Sequence, residues 1–386
     1  MKIIRVRMSE SRGAEGVRRT ARFDDDEIWW DIAGPPAALP GPLAVHDMAA
    51  TALIFHAMGS GRDLHVDGPV SRGLLARLEE FVTSWSLWRP DLYAPIRLSA
   101  AEEIDVPVAP AQRGTAVAAC SGGVDSGFTI WRHHRELAGR NTRRLKAAVF
   151  VHGLDIPLNR SREYESAARS AEAAMASIGL PFARVRTNWR ERASRVWTME
   201  FGAGLTACLR NWQGDVDSAL MGSDEDYAHL VIPWGTNPIT CALLSSPDFE
   251  VVWDGGGYGR TAKVEGISDW PEALDNLRVC WQNASETANC GRCEKCIRTK
   301  LNFRALGLPL PSSLPGEPGT GRIMTLRATN AVQVAQLQDI AHHARQRGVA
   351  DGWLRALRVS ILWNSAWNGA KRARRAVFPR RRGKTF

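Results

Sequence analysis

The residues best suited to chemistry are Ser121-Gly122-Gly123-Val124-Asp125-Ser126, a diglycine bend with a hydroxyl at each end and a carboxylate beside the second. Glycine tolerates positive φ and lets a ligand come close to the backbone. The first amides of a helix starting after the bend would lack intrahelical partners and face whatever lies in the turn. Ser121 and Ser126 add hydroxyl donors, and Asp125 suits Mg²⁺ or a helix cap. Ser-Gly-Gly alone is an ordinary tight turn. The whole hexapeptide, set between strand and helix, points to gripping a phosphate chain. The second cluster is Cys280, Cys290, Cys293 and Cys296, two overlapping Cys-x-x-Cys pairs with a fourth thiol ten residues upstream. Four thiolates complete a closed, structural tetrahedral Zn²⁺ site; an iron–sulfur cluster takes the same ligands. Cys120 abuts the bend and reads either as a sulfur carrier or as a small buried strand residue.

These clusters need elements to hold them. Ala116–Ala119 predicts a short buried strand ending at Cys120, and Phe128-Thr129-Ile130-Trp131 opens a helix running to about Leu137. Strand and helix then alternate. Strands are predicted at Leu145–His152, Phe182–Arg186, Ser218–Met221 and Phe249–Trp253, with helices at Ser161–Ile178 and Glu200–Trp212. The pattern predicts an α/β fold, a doubly wound five-stranded parallel sheet with helices on both faces. Ligands bind such sheets outside the strands' carboxyl ends. Gly153-Leu154-Asp155, Gly222-Ser223 and Asp254-Gly255-Gly256-Gly257 all fall there. Asp224-Glu225-Asp226 reads first as an exposed acidic loop, and second as a holder of Mg²⁺ or an amine.

A chain of 386 residues predicts two or three domains, and 44% hydrophobic with 24% charged residues fits a soluble body with a sizeable core. Met1–Met8 lacks a secretory signal, and runs such as Met48–Ala57 are too short to span a bilayer, so a cytoplasmic protein without a membrane span is expected. Seven cysteines, four of them crowded together, fit a metal site in a reducing compartment better than a disulfide framework. Residues 1–112 read as a separate small α/β domain, with strands at Ile3–Met8 and Ile28–Ile32 and helices at Ala49–Met58 and Ser71–Ser84. Residues 308–322 are a Pro/Gly/Ser-rich linker or extended wrap. The region 323–370 predicts two helices, Ala331–Arg347 and Gly352–Asn368. The tail, 371–386, holds eight Lys or Arg and no acid, nearly all of the net +9. Such a tail is either a solvated end or a contact for RNA, anionic lipid or an acidic partner.

The hexapeptide resembles the pyrophosphate loop of the PP-loop ATP pyrophosphatases. It is not a Walker loop, because the chain has no Gly-x-x-x-x-Gly-Lys-Ser/Thr. Loop and cysteines together, over Thr115 to about Gly307, resemble the 7-cyano-7-deazaguanine synthases. The resemblance implies a Rossmann-like fold of the adenine nucleotide alpha hydrolase type over 113–307, ending in the four-cysteine zinc knuckle. It implies cleavage of ATP between the α and β phosphates, with adenylation of a carboxylate or amide oxygen for attack by ammonia or an amine. Implied catalytic residues are Ser121, Asp125, Ser126 and Lys263. Implied ATP contacts are Cys120, Ser121, Gly122, Gly123, Val124, Asp125, Ser126, His152, Gly153, Leu154, Asp155, Gly222, Ser223, Arg260 and Lys263. The cofactors would be ATP, Mg²⁺ and structural Zn²⁺. The acceptor stays open among a small molecule and a peptide- or RNA-linked group, and a homo-oligomer is compatible with this reading. Met221–Thr240 departs from the substrate-recognition segment of the synthases. Two other readings stand beside this one: sulfur insertion into RNA or a small molecule, carried by Cys120 or Cys208, and an ATP-dependent binding or assembly module.

Overall fold

The computed structural model describes residues 3–14, 16–280, 289–349 and 351–377, with side chains described as far as 370. It divides into two compact units, Met1–Asp224 with Leu230–Gly256, and Glu225–His229 with Gly257–Phe386.

The first unit is built on one sheet. Strands β1 (Ile3–Gly13), β2 (Gly16–Phe23) and β3 (Asp26–Ala33) form an antiparallel meander. Helix α1 (Asp47–Ser60) leads to β4 (Asp63–Ser71), and α2 (Arg72–Trp88) to β5 (Leu98–Ile104). Strands β4 and β5 add in parallel beyond β1. Early β1 alternates exposed and buried residues, the period of a sheet covered on one face. Helix α1 is buried on nearly every side, as its Ala, Ile, Leu, Phe and Met content requires.

The alternating half follows. It comprises β6 (Thr115–Ala119), α3 (Val124–His134), β7 (Arg144–His152), α4 (Ser161–Ser177), β8 (Phe182–Thr187), α5 (Trp189–Arg192) and α6 (Trp197–Leu209). Then come β9 (Ser218–Gly222), α7 (Pro238–Leu243) and β10 (Glu250–Asp254). These five strands are parallel, in the order β10-β9-β6-β7-β8. Strand β6 is buried throughout 115–118, as a strand covered on both faces must be. The chain lays down β6, β7 and β8 in one direction, then returns to place β9 on the other side of β6.

The expected five-stranded sheet is thus one half of a larger one. Among the described residues ten strands form a single, mostly parallel sheet, because β3 pairs antiparallel with β8, Ile32 opposite Val185. The sheet runs straight across the boundary expected near residue 112, and both sides belong to one compact unit. The physical reason is the edge of β8, whose unpaired backbone groups β3 satisfies. Indole donors fasten the halves further. Trp189 Nε1 donates to the Ala52 carbonyl at 2.7 Å and Trp212 Nε1 to the Ala38 carbonyl at 2.8 Å. Arg19 on β2 is buried and donates to the Asn211 carbonyl at 2.6 Å, with Glu10 neutralising it at 2.8 Å.

The second unit is helical: α8 (Arg260–Gly266), α9 (Pro271–Asp275), α10 (Glu294–Leu306), α11 (Thr320–Met324), α12 (Ala331–Gln346) and α13 (Gly352–Val377). Its core joins Ile297 and Leu301 of α10 to Leu337 and Ile340 of α12 and Leu357 of α13. Within 308–322, Leu314 is buried, and the Ser313 and Pro315 carbonyls accept hydrogen bonds from Asn289 and Lys300. The basic tail lies outside the residues whose side chains are described. No described helix is long and apolar enough to cross a membrane.

Candidate functional site

Ser121–Ser126 sits at the carboxyl end of β6 and opens α3, as its composition demands. Gly122 takes the left-handed region, φ 71°, where a side chain would be strained. The two serines close the bend. Ser126 Oγ accepts from the Ser121 amide at 3.1 Å and lies 3.1 Å from Ser121 Oγ. Gly123 occupies the N-cap of α3 and has no side chain to cap it. The opening amides of α3 therefore have no side-chain cap, the arrangement that receives an anion. Gly222, ending β9, presses on this loop: a Cβ there would lie 2.5 Å from the Asp125 carbonyl oxygen and 3.0 Å from the Ser126 nitrogen. The structure thus brings Cys120 to Ser126 and Gly222-Ser223 together. Ser223 is buried, and its amide donates to the Asp254 carbonyl at 2.7 Å.

His152 ends β7 one strand away. It is buried, stacks on Tyr164 at 4.1 Å, and donates from Nε2 to the Pro157 carbonyl at 3.0 Å. Burial holds its pKa below the usual histidine value, so it is a neutral brace for the 153–157 turn. Gly153, at φ 99°, lets that turn pass against the Thr187 carbonyl. Leu154 is buried and Asp155 exposed.

Asp254, the last residue of β10, anchors the helix behind the loop. Thr129 Oγ1 donates to it at 2.9 Å, and Arg132 pairs with it at 3.3 Å. His133 Nδ1 accepts the Arg143 amide at 2.9 Å, so Nε2 carries the proton and faces Asp254 at 3.2 Å. Burial alone would raise the Asp254 carboxyl; His133 and Arg132, with Thr129, outweigh it and hold it below its ordinary value. Such a group adds stability above its unfolded pKa, and that stability is lost as pH falls through the folded value. Wild type should therefore exceed Asp254→Asn by about 2 kcal/mol at pH 7 in urea unfolding. The gap should close below about pH 4; a gap that ignores pH would contradict this anchoring role.

The acidic run is not a uniform exposed loop. Asp224 is partly buried and accepts from Trp234 Nε1 at 2.7 Å and Thr236 Oγ1 at 3.1 Å. Burial, aided by the like charge of Asp125, raises its carboxyl above the ordinary range. Arg260 and Lys263 lie on α8 in the second unit, and both are buried.

In the second unit the four thiols converge. Cys280 and Cys293 sulfurs are 3.9 Å apart, as are those of Cys290 and Cys296, and all four lie within 4.8 Å of one another. A tetrahedron of about 2.3 Å Zn–S bonds has edges of about 3.8 Å. The set can therefore hold a metal ion such as Zn²⁺. Gly291, at φ 69°, turns the chain so that the Cys293 amide donates to Cys290 Sγ at 3.3 Å. The Cys296 amide donates to Cys293 Sγ at 3.5 Å. Hydrogen bonding from Cys296 above all lowers the Cys293 thiol below its ordinary value, towards the thiolate that binds metal. Two supports escaped the sequence reading. Asn289 accepts from the Val279 and Cys280 amides at 2.8 and 3.0 Å and donates to the Leu277 carbonyl at 2.6 Å. Lys300 donates to the Gly291 carbonyl at 2.8 Å. Nothing in the sequence marks Asn289, whereas Lys300 lies one helical turn beyond Cys296. The sequence places Asp254 at a strand end, but its clamp on α3 escaped, although Thr129 and His133, one turn apart on α3, form a polar stripe that hints at a partner.

The chain matches no protein-family model, and no curated protein or solved structure matches it.

Proposed function

We propose that the chain is an ATP-dependent ligase of the PP-loop type, forming AMP and pyrophosphate as it adenylates a carboxylate or amide oxygen for attack by ammonia or an amine. One observation carries this reading: the serine-closed bend opens a helix at the carboxyl end of β6, where the strand order reverses. That order, third-second-first counted from β8 to β6 and then fourth-fifth, supports a doubly wound nucleotide-binding half. The amides and hydroxyls of Ser121 to Ser126 would hold the β and γ phosphates. Asp125 would hold Mg²⁺, with Asp224 as a second carboxylate. ATP, when bound, supplies the adenylyl group that activates the acceptor. The loop contributes fixed dipoles where charge gathers on the departing pyrophosphate, and holds the reacting groups in line. Lys263 is assigned to the phosphates by the resemblance, and Arg260 by its place after the fifth strand of the sequence. Sulfur insertion is less well supported: Cys120, Cys208 and Cys241 are buried, and burial pushes their thiols up to about 11, 12 and 12. A carrier has to be a reachable thiolate.

ATP–pyrophosphate exchange over a panel of small carboxylic acids, deazaguanines included, and a peptide terminus tests the proposal. Acceptor-dependent exchange and AMP formation are expected, with Ser126→Ala slower by about 10²-fold. Release of ADP, or ATP binding without turnover, would replace the ligase with another ATPase or a binding module.

A further inference from the structure

Helix α13 has two apolar faces. One, through Trp353, Leu354 and Leu357, packs into the core of the second unit. The other faces outward: Val359, Trp363 and Trp367 are each 47% exposed and Leu362 is 71% exposed. At about 100° per residue these four fall within an arc of about 140°, opposite the packed face. The Trp363 and Trp367 rings stack on each other at 5.6 Å, 8° from parallel. The Arg327 guanidinium lies 5.3 Å over Trp363, and Arg355 and Arg358 are exposed on the same helix. Four residues beyond Trp367 the basic run begins, eight Lys or Arg and no acid in 371–386.

We propose that this face of α13, with the basic run after it, docks on the surface of an anionic lipid bilayer. The inference does not depend on the ATP chemistry proposed above. A bilayer surface answers both features of the helix. Tryptophan, with an apolar body and a polar edge, settles at the boundary of headgroups and acyl chains. Lys and Arg beside it meet the negative potential of the leaflet. A helix apolar on one side and basic around it lies in that plane without crossing the membrane. RNA fits less well. Bases stack on open aromatic faces, whereas the two indoles here stack on each other, and Leu362 and Val359 give a nucleotide nothing to bond. A second copy would set one basic run against another.

The full chain should be sedimented with vesicles of phosphatidylcholine alone and with about 30% phosphatidylglycerol. Binding to the anionic vesicles should be at least about ten-fold stronger, should weaken in high salt and should shift tryptophan emission to the blue. The double variant Trp363→Ser/Trp367→Ser should lose about ten-fold in binding at unchanged metal content. Leu362→Glu, at the most exposed of the four positions, should do the same and guards against a folding defect in the double variant. Equal binding by both variants would reduce the interaction to tail charge alone and overturn the docking face. Absent vesicle binding alongside tight binding of a single-stranded RNA oligonucleotide would overturn the choice of partner.

Discussion

Cys293→Ser should release the bound metal and unfold the start of α10. Wild type is expected to hold one zinc per chain by elemental analysis, and the variant none. The reasoning is geometric. All four sulfurs already sit at the corners of a metal-sized tetrahedron. Structural zinc sites of this kind contribute apparent binding energies of about 10–16 kcal/mol in small peptides. The second unit also has an apolar core of its own, so only part of that would appear as lost stability. A fall of about 4 kcal/mol, or roughly 10 °C in the melting of this unit, is the expected scale. Chelation of wild type should reproduce it. Iron with visible absorbance would make the centre an iron–sulfur cluster, and an unchanged metal content in Cys293→Ser would remove the site altogether.

On the proposed ATP chemistry, Gly222→Ala should abolish most activity while leaving the protein folded. The added methyl meets backbone, 2.5 Å from the Asp125 carbonyl oxygen and 2.6 Å from its carbon, so no side chain can swing away to relieve it. Strand β9 or the loop has to move. Overpacking of this kind costs about 1–3 kcal/mol, which a unit with so large a core survives. Displacement of catalytic groups by about 1 Å costs about 10²-fold in rate, and that is the expected loss in ATP–pyrophosphate exchange. Gly127→Ala is the matched control for stability. Nothing lies within 4 Å of its Cβ position, and helix propensity favours alanine there by up to about 1 kcal/mol. An active Gly222→Ala enzyme would mean that the loop beside β9 is not where the chemistry occurs.

How legible these features were differs along the chain. Strands β6, β7, β9 and β10 are apolar runs ending in Gly, Ser or Asp clusters, and β8 is marked by alternating apolar residues before Asn188; their positions follow within a residue or two from that pattern. The cysteines declare themselves by spacing. The first half hides three of its five strands, β2, β4 and β5. Strand β2 carries Arg18, Arg19 and Arg22, and nothing local reveals that Arg19 is buried against Asn211. Strand β4 contains Asp67, Gly68 and Pro69, which read as a turn, and β5 carries Glu102 and Glu103. The joining of β3 to β8 lies beyond any local pattern, because pairing is decided by which edges are left open once both halves exist. The same applies to the site. Glycine type and order announced the bend after β6, while the close approach of Gly222 and the clamp by Asp254 depend on contacts between distant strands.

That seam has a bearing on synthesis. The Trp29 amide of β3 bonds to Asn188, 159 residues further on. At about 5–20 residues per second the ribosome needs roughly 8 to 30 s to deliver that partner. For that interval the nascent meander has an open rim, and Arg19 lacks the Asn211 carbonyl that accepts from it in the finished sheet. Birth of this protein is therefore a race in which early strands must stay unclaimed until late ones arrive.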